Sequence, residues 1–372
     1  MTTIRKQTYA RVLELTDGVG LVEAYRHSLV LKGVFIISCF SALMLVIVYS
    51  LAVGQGITLS ESYDIILKHL AGETYPLRSE MWWKDYFIWN NVMPRVAVGI
   101  IGGCGLAACG AVMQSIMSNP LADPYTTGIS SGACFGAVAS LIAGVSFASL
   151  GSGYTTVSNA FIGALIPTMI VILVSRRINA TPATLILIGV AISYFFNAAV
   201  TLMMVTATAE DLQAAYLWQV GTLTGMTWSS VPLMLAITAV GAVGARLFSK
   251  NMNLLTRGEN SAKSMGLDVE QFRMLCLIMV AIMTAAIVSF TGILGFVGLI
   301  SPHITRLVVG SDNRVVIPAS MIVGALMLVL CDLISRMVSN ITDIPVGVVL
   351  SLLCSPIFLL MVIGLKKGRS VY

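Results

Sequence analysis

Few side chains in this chain of 372 residues have the means to do chemistry. The three histidines stand apart: His27 near the N-terminus, His69 in a polar stretch and His303 beside Pro302. No H-E-x-x-H, no G-x-S-x-G and no paired carboxylates within an apolar run are present, so zinc hydrolysis, acyl transfer and carboxylate acid–base work lack their groups. No G-x-x-x-x-G-K-[ST] occurs either, so the chain has no Walker A loop for ATP. The seven cysteines (39, 104, 109, 134, 276, 331, 354) all fall in apolar stretches without a CxxC pair, which suits small packing residues rather than disulfides or metal ligands. Asp332 and Arg336 are spaced for a local i,i+4 ion pair near the end of an apolar run. So few intramembrane charges give weak support to an ion-coupled carrier, whose proton or sodium relay would need them.

The most informative polar stretch is 248–272. Within it, Glu259 to Met265 is long enough for about two helical turns. Gly266 stands where a left-handed residue would end such a helix, and Glu259 lies at its N-terminus, where the dipole favours negative charge. A short capped amphipathic helix there is either a docking knob for a soluble partner or a surface connector.

The elements that carry these residues follow from composition. Of all residues, 57% are hydrophobic and only 10% are charged, far below the roughly 25% charge of a soluble domain. Lipid solvates such a surface; water does not. A membrane-crossing helix needs about 20 mostly apolar residues. The runs free of Asp, Glu, Lys and Arg predict helices near 33–53, 96–117, 128–148, 157–176, 182–205, 227–247, 273–293, 296–310, 315–336 and 345–366. Gly151-Ser152-Gly153 breaks the longest run, while Gly292, Gly295, Gly298 and Pro302 divide another into a full helix and a short one. The glycines at 99, 102, 103, 105 and 110 read as close helix packing.

Charge fixes the sidedness. With ten crossings and a cytoplasmic N-terminus, only Lys68, Arg78, Lys84, Arg95 and Arg336 lie outside, leaving 17 of the 22 Lys and Arg inside. Were 296–310 not to cross, Arg306, Arg314, Lys366, Lys367 and Arg369 would move outside, against the positive-inside rule. The expected fold is therefore an all-α integral membrane protein of about ten helices with both termini cytoplasmic. Residues 1–29 form a cytoplasmic tail with amphipathic stretches, and 30–372 the transmembrane domain. The external loop 54–91 carries Trp82, Trp83, Tyr86 and Trp89, placed for an interfacial aromatic belt.

A set of ordered motifs adds to this reading. Met93-Pro94-Arg95 precedes Gly110-Ala111-Val112-Met113-Gln114, then Asn119-Pro120-Leu121-Ala122-Asp123-Pro124 and Gly128-Ile129-Ser130-Ser131-Gly132-Ala133. Later come 254–267, Gly295-Phe296-Val297-Gly298-Leu299-Ile300-Ser301-Pro302-His303-Ile304-Thr305-Arg306, Ile344-Pro345-Val346-Gly347 and Ser355-Pro356. In these the chain resembles the permeases of the iron-chelate, haem and cobalamin ABC importers, the FecCD or BtuC-like family, from about the first span to the C-terminus.

The resemblance implies a BtuC-like permease fold in a prokaryotic cell membrane. The implied partners are a second permease, identical or paralogous, two cytoplasmic ABC ATPases that bind ATP and magnesium, and an external substrate-binding protein. Lipid surrounds the whole, and no nucleic acid is involved. The chain itself is expected to be non-catalytic and without a cofactor. The family's ATPase-coupling segment falls on Leu254, Leu255, Arg257, Gly258, Glu259, Ala262, Met265 and Gly266. Its docking arginines fall on Arg95 and Arg336, and a third falls at Val92, where no arginine stands. The rival readings are snorkelling for Arg95 and pairing with Asp332 for Arg336. The path or inner gate maps to Asn179, Thr181, Ser193 and Asn197, against helix–helix hydrogen bonding as the plainer role. His303 belongs to a motif shared across cargoes, which favours a structural role over haem or metal ligation. The expected cargo is a ferric siderophore or haem, with cobalamin second. An ion-coupled secondary transporter is the alternative from another class.

Overall fold

The computed structural model describes residues 18–52, 57–147, 154–178, 181–338 and 344–366. In chain order the helices are α1 (Gly18–Ala52), α2 (Leu59–Leu70), α3 (Glu80–Phe87), α4 (Met93–Ile116), α5 (Ile129–Leu141), α6 (Thr155–Ile178) and α7 (Pro182–Val205). They continue with α8 (Ala209–Val220), α9 (Val231–Leu255), α10 (Glu259–Ser264), α11 (Val269–Thr291), α12 (Val297–Val309), α13 (Asn313–Val338) and α14 (Val346–Lys366). Among the described residues, eight apolar helices are long enough to cross a membrane, and α5 and α12 are shorter apolar ones. Together they occupy the ten expected spans. Helix α1 begins at Gly18, and its apolar span runs from Ser28 to Ala52. The break at Gly151-Ser152-Gly153 lies outside the described residues.

Helix ends follow local sequence. Pro182 opens α7 behind Thr181, whose Oγ1 accepts from the Thr184 amide at 3.3 Å. Asp268 caps α11 by accepting from the Gln271 amide at 3.1 Å.

The hub is α4, which is buried along nearly all its length and packs against α9, α11, α12 and α13. Small residues make this possible. A Cβ on Gly103 would stand 2.4 Å from the Gly324 carbonyl oxygen, and one on Gly110 would stand 1.7 Å from that of Gly298. The backbones themselves are in contact, so dispersion and small size hold these spans together where lipid offers no hydrophobic drive.

The short helix α5 corrects the expectation of a full span at 128–148, whereas α12 is short as the glycines and Pro302 of its run predict. Thirteen residues rise about 20 Å, well short of the roughly 30 Å hydrocarbon core. Non-helical segments complete both crossings. Thr291 ends α11, and residues 292–296 then turn back through the interior until Gly298 meets Gly110 in the last turns of α4. The loop after α4 likewise re-enters, bringing Pro124 beside Gly298 and the Tyr125 hydroxyl to the Leu294 carbonyl, to which it donates at 3.1 Å. Irregular backbone at this depth is tolerated where protein buries it and supplies its hydrogen bonds. Leu294 is fully buried, and Phe296 takes a left-handed φ of 67°.

Outside, 54–91 is more than a loop. A π turn at Ile88–Val92 joins α3 to α4 in one uninterrupted helical stretch of 37 residues, about 55 Å long. Trp89 lies near the level of an interfacial belt, while Trp82 and Trp83 sit about 10 Å further out. There α2 braces α3 through Lys84, which bonds Glu61 at 2.7 Å and Glu80 at 2.6 Å, and through His69 and Asp85 at 2.7 Å.

Candidate functional site: an inner knob and its anchorage

The segment after α9 forms the helix that its sequence foretells. Glu259 lies in the first turn of α10, and Gly266 follows the C-cap Met265 with φ 85°. The amide of Gly266 donates to Lys263 O at 2.9 Å and that of Leu267 to Ala262 O at 3.1 Å, a Schellman ending. Ala262 is 0% exposed and Leu255 is buried, while Leu254 packs against the same inner core. Arg257, Gly258, Lys263, Ser264 and Gly266 are exposed, and Met265 is 60% exposed. The segment thus has a buried seam that seats it and a polar, Met-tipped outer face that none of the described residues covers.

Polar contacts tie this knob to the spans. Glu259 pairs with Arg273 in the first turn of α11, and Arg273, itself buried, donates through Nε to the Ile116 carbonyl at 3.1 Å. On the other side, Asn253 near the end of α9 donates through Nδ2 to Asp312 at 2.7 Å and accepts the Asn313 amide at 2.8 Å. Arg306, near the end of α12, donates through Nη2 to Ser115 Oγ at 2.8 Å and Asn313 Oδ1 at 3.0 Å. Asp312 also binds Arg314, with Nη2 to Oδ2 at 2.8 Å. The hydrogen bond from Arg314 holds the Asp312 carboxyl at about 2, below its ordinary value, against an opposing desolvation. Ile116, Ser115 and Ala111 belong to the C-terminal turns of α4, whose last carbonyls lack helical partners and whose dipole favours cations.

Arg95 and Arg336 meet at one buried carboxylate. Both lie inside the protein, with side chains 8% exposed around an Asp332 that is 1% exposed. Arg95 donates through Nε to Asp332 at 2.7 Å, and Arg336 meets the same carboxylate at 3.2 Å. Arg336 also donates to the Ser50 carbonyl at 3.0 Å, which ties in the outer end of α1. A charge without a partner is costly to bury, and here the two arginines from different spans share one anion. The expected Asp332–Arg336 pair is present, and Arg95 shares its carboxylate.

The expected path residues do not cluster. Asn179 lies outside the described residues. Thr181 caps α7, and half-buried Ser193 donates to the Gly189 carbonyl at 2.8 Å, the plain helical role. Asn197 is exposed on α7 beside Tyr194, which is 74% exposed. His303 is buried against Pro120, Leu121, Leu299 and Phe358. Among the described residues, no group of three His, Cys, Asp or Glu could hold a metal ion.

Sequence reasoning missed Arg273, Asn253, Asp312 and Ser115 altogether. Arg306 was visible as the last residue of a motif, without a role.

Comparison with known proteins agrees with this architecture. The profile of the FecCD transport family matches residues 26–364. The cobalamin import system permease protein BtuC of Halobacterium salinarum is 39% identical, over 72% of this chain and 70% of that protein. The hemin transport system permease protein HmuU of Yersinia pestis is 33% identical, over 77% and 86%. The vitamin B12 import system permease protein BtuC of Vibrio cholerae is 32% identical, over 78% and 89%. Among solved structures, a metal-chelate type ABC transporter in an inward-facing conformation superposes with a TM-score of 0.76 at 26% identity, covering 88% of this chain and 98% of the other.

Proposed function

This chain belongs to the FecCD transport family of ABC-importer permeases, a multi-pass cell-membrane protein, and on that premise we propose that it carries a metal chelate inward using ATP hydrolysed by partner subunits. The observation that carries the proposal is the seated helix α10 with its flanking turns, which bury Ala262 and expose Arg257, Lys263 and Met265. A knob of this kind fits a cleft in a cytoplasmic ATPase. Leu254, Leu255 and Ala262 hold it in place, while Gly258 and Gly266 shape the two turns that make it project.

The proposed assembly holds a second permease, two ATPases and an external binding protein. Asn197 supports the second permease. A polar amide in the middle of a span is costly against lipid, and its neighbours Tyr194 and Phe195 are bare as well. A partner copy, with the path between the two, would cover this face.

We place ferric siderophore or haem first as cargo and cobalamin second, the latter favoured by the 39% identity to the Halobacterium permease. The test is uptake into proteoliposomes that hold the chain with its ATPases and binding protein, with haemin, a ferric siderophore and cyanocobalamin offered in turn. ATP-dependent accumulation of one of them is expected. Accumulation that follows a proton or sodium gradient without nucleotide would replace the proposal with a secondary carrier.

A further inference from the structure

Two polar lines leave the knob region and converge on one place. The first runs from Glu259 in α10 to Arg273 and on to the Ile116 carbonyl. The second runs from Asn253, just before the knob, through Asn313 to Ser115 and Arg306. Both end on the C-terminal turns of α4. That helix is continuous with α3 from Glu80 to Ile116, and its apolar window is 83% buried. A displacement at its inner end therefore has a stiff element to travel along and tightly packed neighbours to carry with it.

From this we infer that Arg273 is a positioning residue for transport, coupling the knob directly to α4. The inference rests on the importer reading above and goes beyond it. The usual covalent route from the knob runs through the ends of α9 and α11, and neither is continuous with α4. Arg273 supplies a shortcut because its guanidinium is planar and forked. Nε engages a helix-terminal carbonyl while Nη2 engages a carboxylate on the moving element. A lysine ammonium keeps the charge but cannot reproduce the fork. Glu259 is half-exposed at 41%, so the joint can open and reclose without burying an unpaired charge at the knob.

The experiment uses the full chain with its ATPase subunits in lipid nanodiscs and a spin label on Glu80→Cys at the outer end of the rod. Mg-ATP with vanadate is the probe. In the parent, the label's signal changes when nucleotide is trapped. Arg273→Lys is expected to keep assembly and ATP hydrolysis but to reduce that change about fivefold, the usual size of a lost coupling contact. The exchanged pair Glu259→Arg with Arg273→Glu restores part of it. An Arg273→Lys variant whose label responds like the parent's overturns the inference while leaving the importer reading intact. Loss of ATPase binding in Arg273→Lys also overturns it, since the pair would then shape the docking face. A parent complex that hydrolyses no ATP defeats the importer reading, and the inference falls with it.

Discussion

The two ends of the bundle use the same residue type in opposite ways. Outside, Arg95 and Arg336 close on the single carboxylate of Asp332, and all three are nearly inaccessible. Inside, Arg273 and Arg306 are also buried, yet they bond helix-terminal carbonyls, hydroxyls and amides, with one carboxylate from half-exposed Glu259. The outer cluster concentrates its energy in one anion and pins α1, α4 and α13 together. The inner one spreads its energy over many neutral acceptors, so that single contacts can be exchanged at low cost. A clamp outside and a joint inside suit a bundle that is pushed from the cytoplasmic end.

The comparison breaks most readily at Asp332. Asp332→Ala removes the carboxylate that both outer arginines bond and is expected to cost about 3–5 kcal/mol. Thermal unfolding of the purified protein would register it, or the chain would fail to accumulate. Replacing Arg95, Asp332 and Arg336 together by apolar residues of similar volume should recover most of the loss. If Asp332→Ala melts with the parent, the outer cluster is no clamp.

Glycine sharpens the same contrast at intermediate size. Gly110→Ala drives a methyl to within 1.7 Å of the Gly298 carbonyl oxygen, where only backbone could retreat, and about 3 kcal/mol is expected. Gly266→Ala at the knob meets nothing within 4 Å. Only its φ of 85° opposes the change, at about 1 kcal/mol. Equal melting shifts for the two variants would mean that the knob is packed as tightly as the spans.

The sequence made some of this legible and hid the rest for physical reasons. Ten apolar runs, broken at glycine and proline, located the spans, because length and apolarity are what the bilayer demands. Glu259 and Gly266 located the knob, because caps are local chemistry. The half-length of α5 was hidden, since an apolar run reads alike as helix or as buried extended backbone. Also hidden was the Arg95–Asp332 bond, which joins residues 237 apart in the chain. Arg273 looked like one more interfacial cation at a helix start. Only its partners, Glu259 and the distant Ile116 carbonyl, distinguish it. The helices α2, α3 and α8 were written in Thr58, Ser79 and Thr208, each of which caps the helix behind it, and polar composition masked them.

The smallest expected effect belongs to Asp312, at the edge of the inner joint. Its carboxyl is held at about 2 against an ordinary 3.8, first by its hydrogen bond to Arg314, so the folded state binds this proton less readily than the unfolded chain does. A depressed acid stabilises the fold fully above the unfolded value, and the contribution disappears as pH falls through the folded one. The advantage of the parent over Asp312→Asn should therefore be flat above about pH 4 and shrink towards zero near pH 2. It should also be small, below about 1 kcal/mol, because the side chain is 32% exposed and solvent screens its ion pair. Melting curves of the two proteins between pH 2 and pH 7 would measure it. A difference that stays constant from pH 4 down to pH 2 would show that the carboxyl is not depressed. Asn253 would then be held by a weaker anchor than Asp312 with Arg314 provides. A small amplitude lost only between about pH 4 and pH 2 is what a joint built from many modest contacts should give, in contrast to the single large loss expected at Asp332.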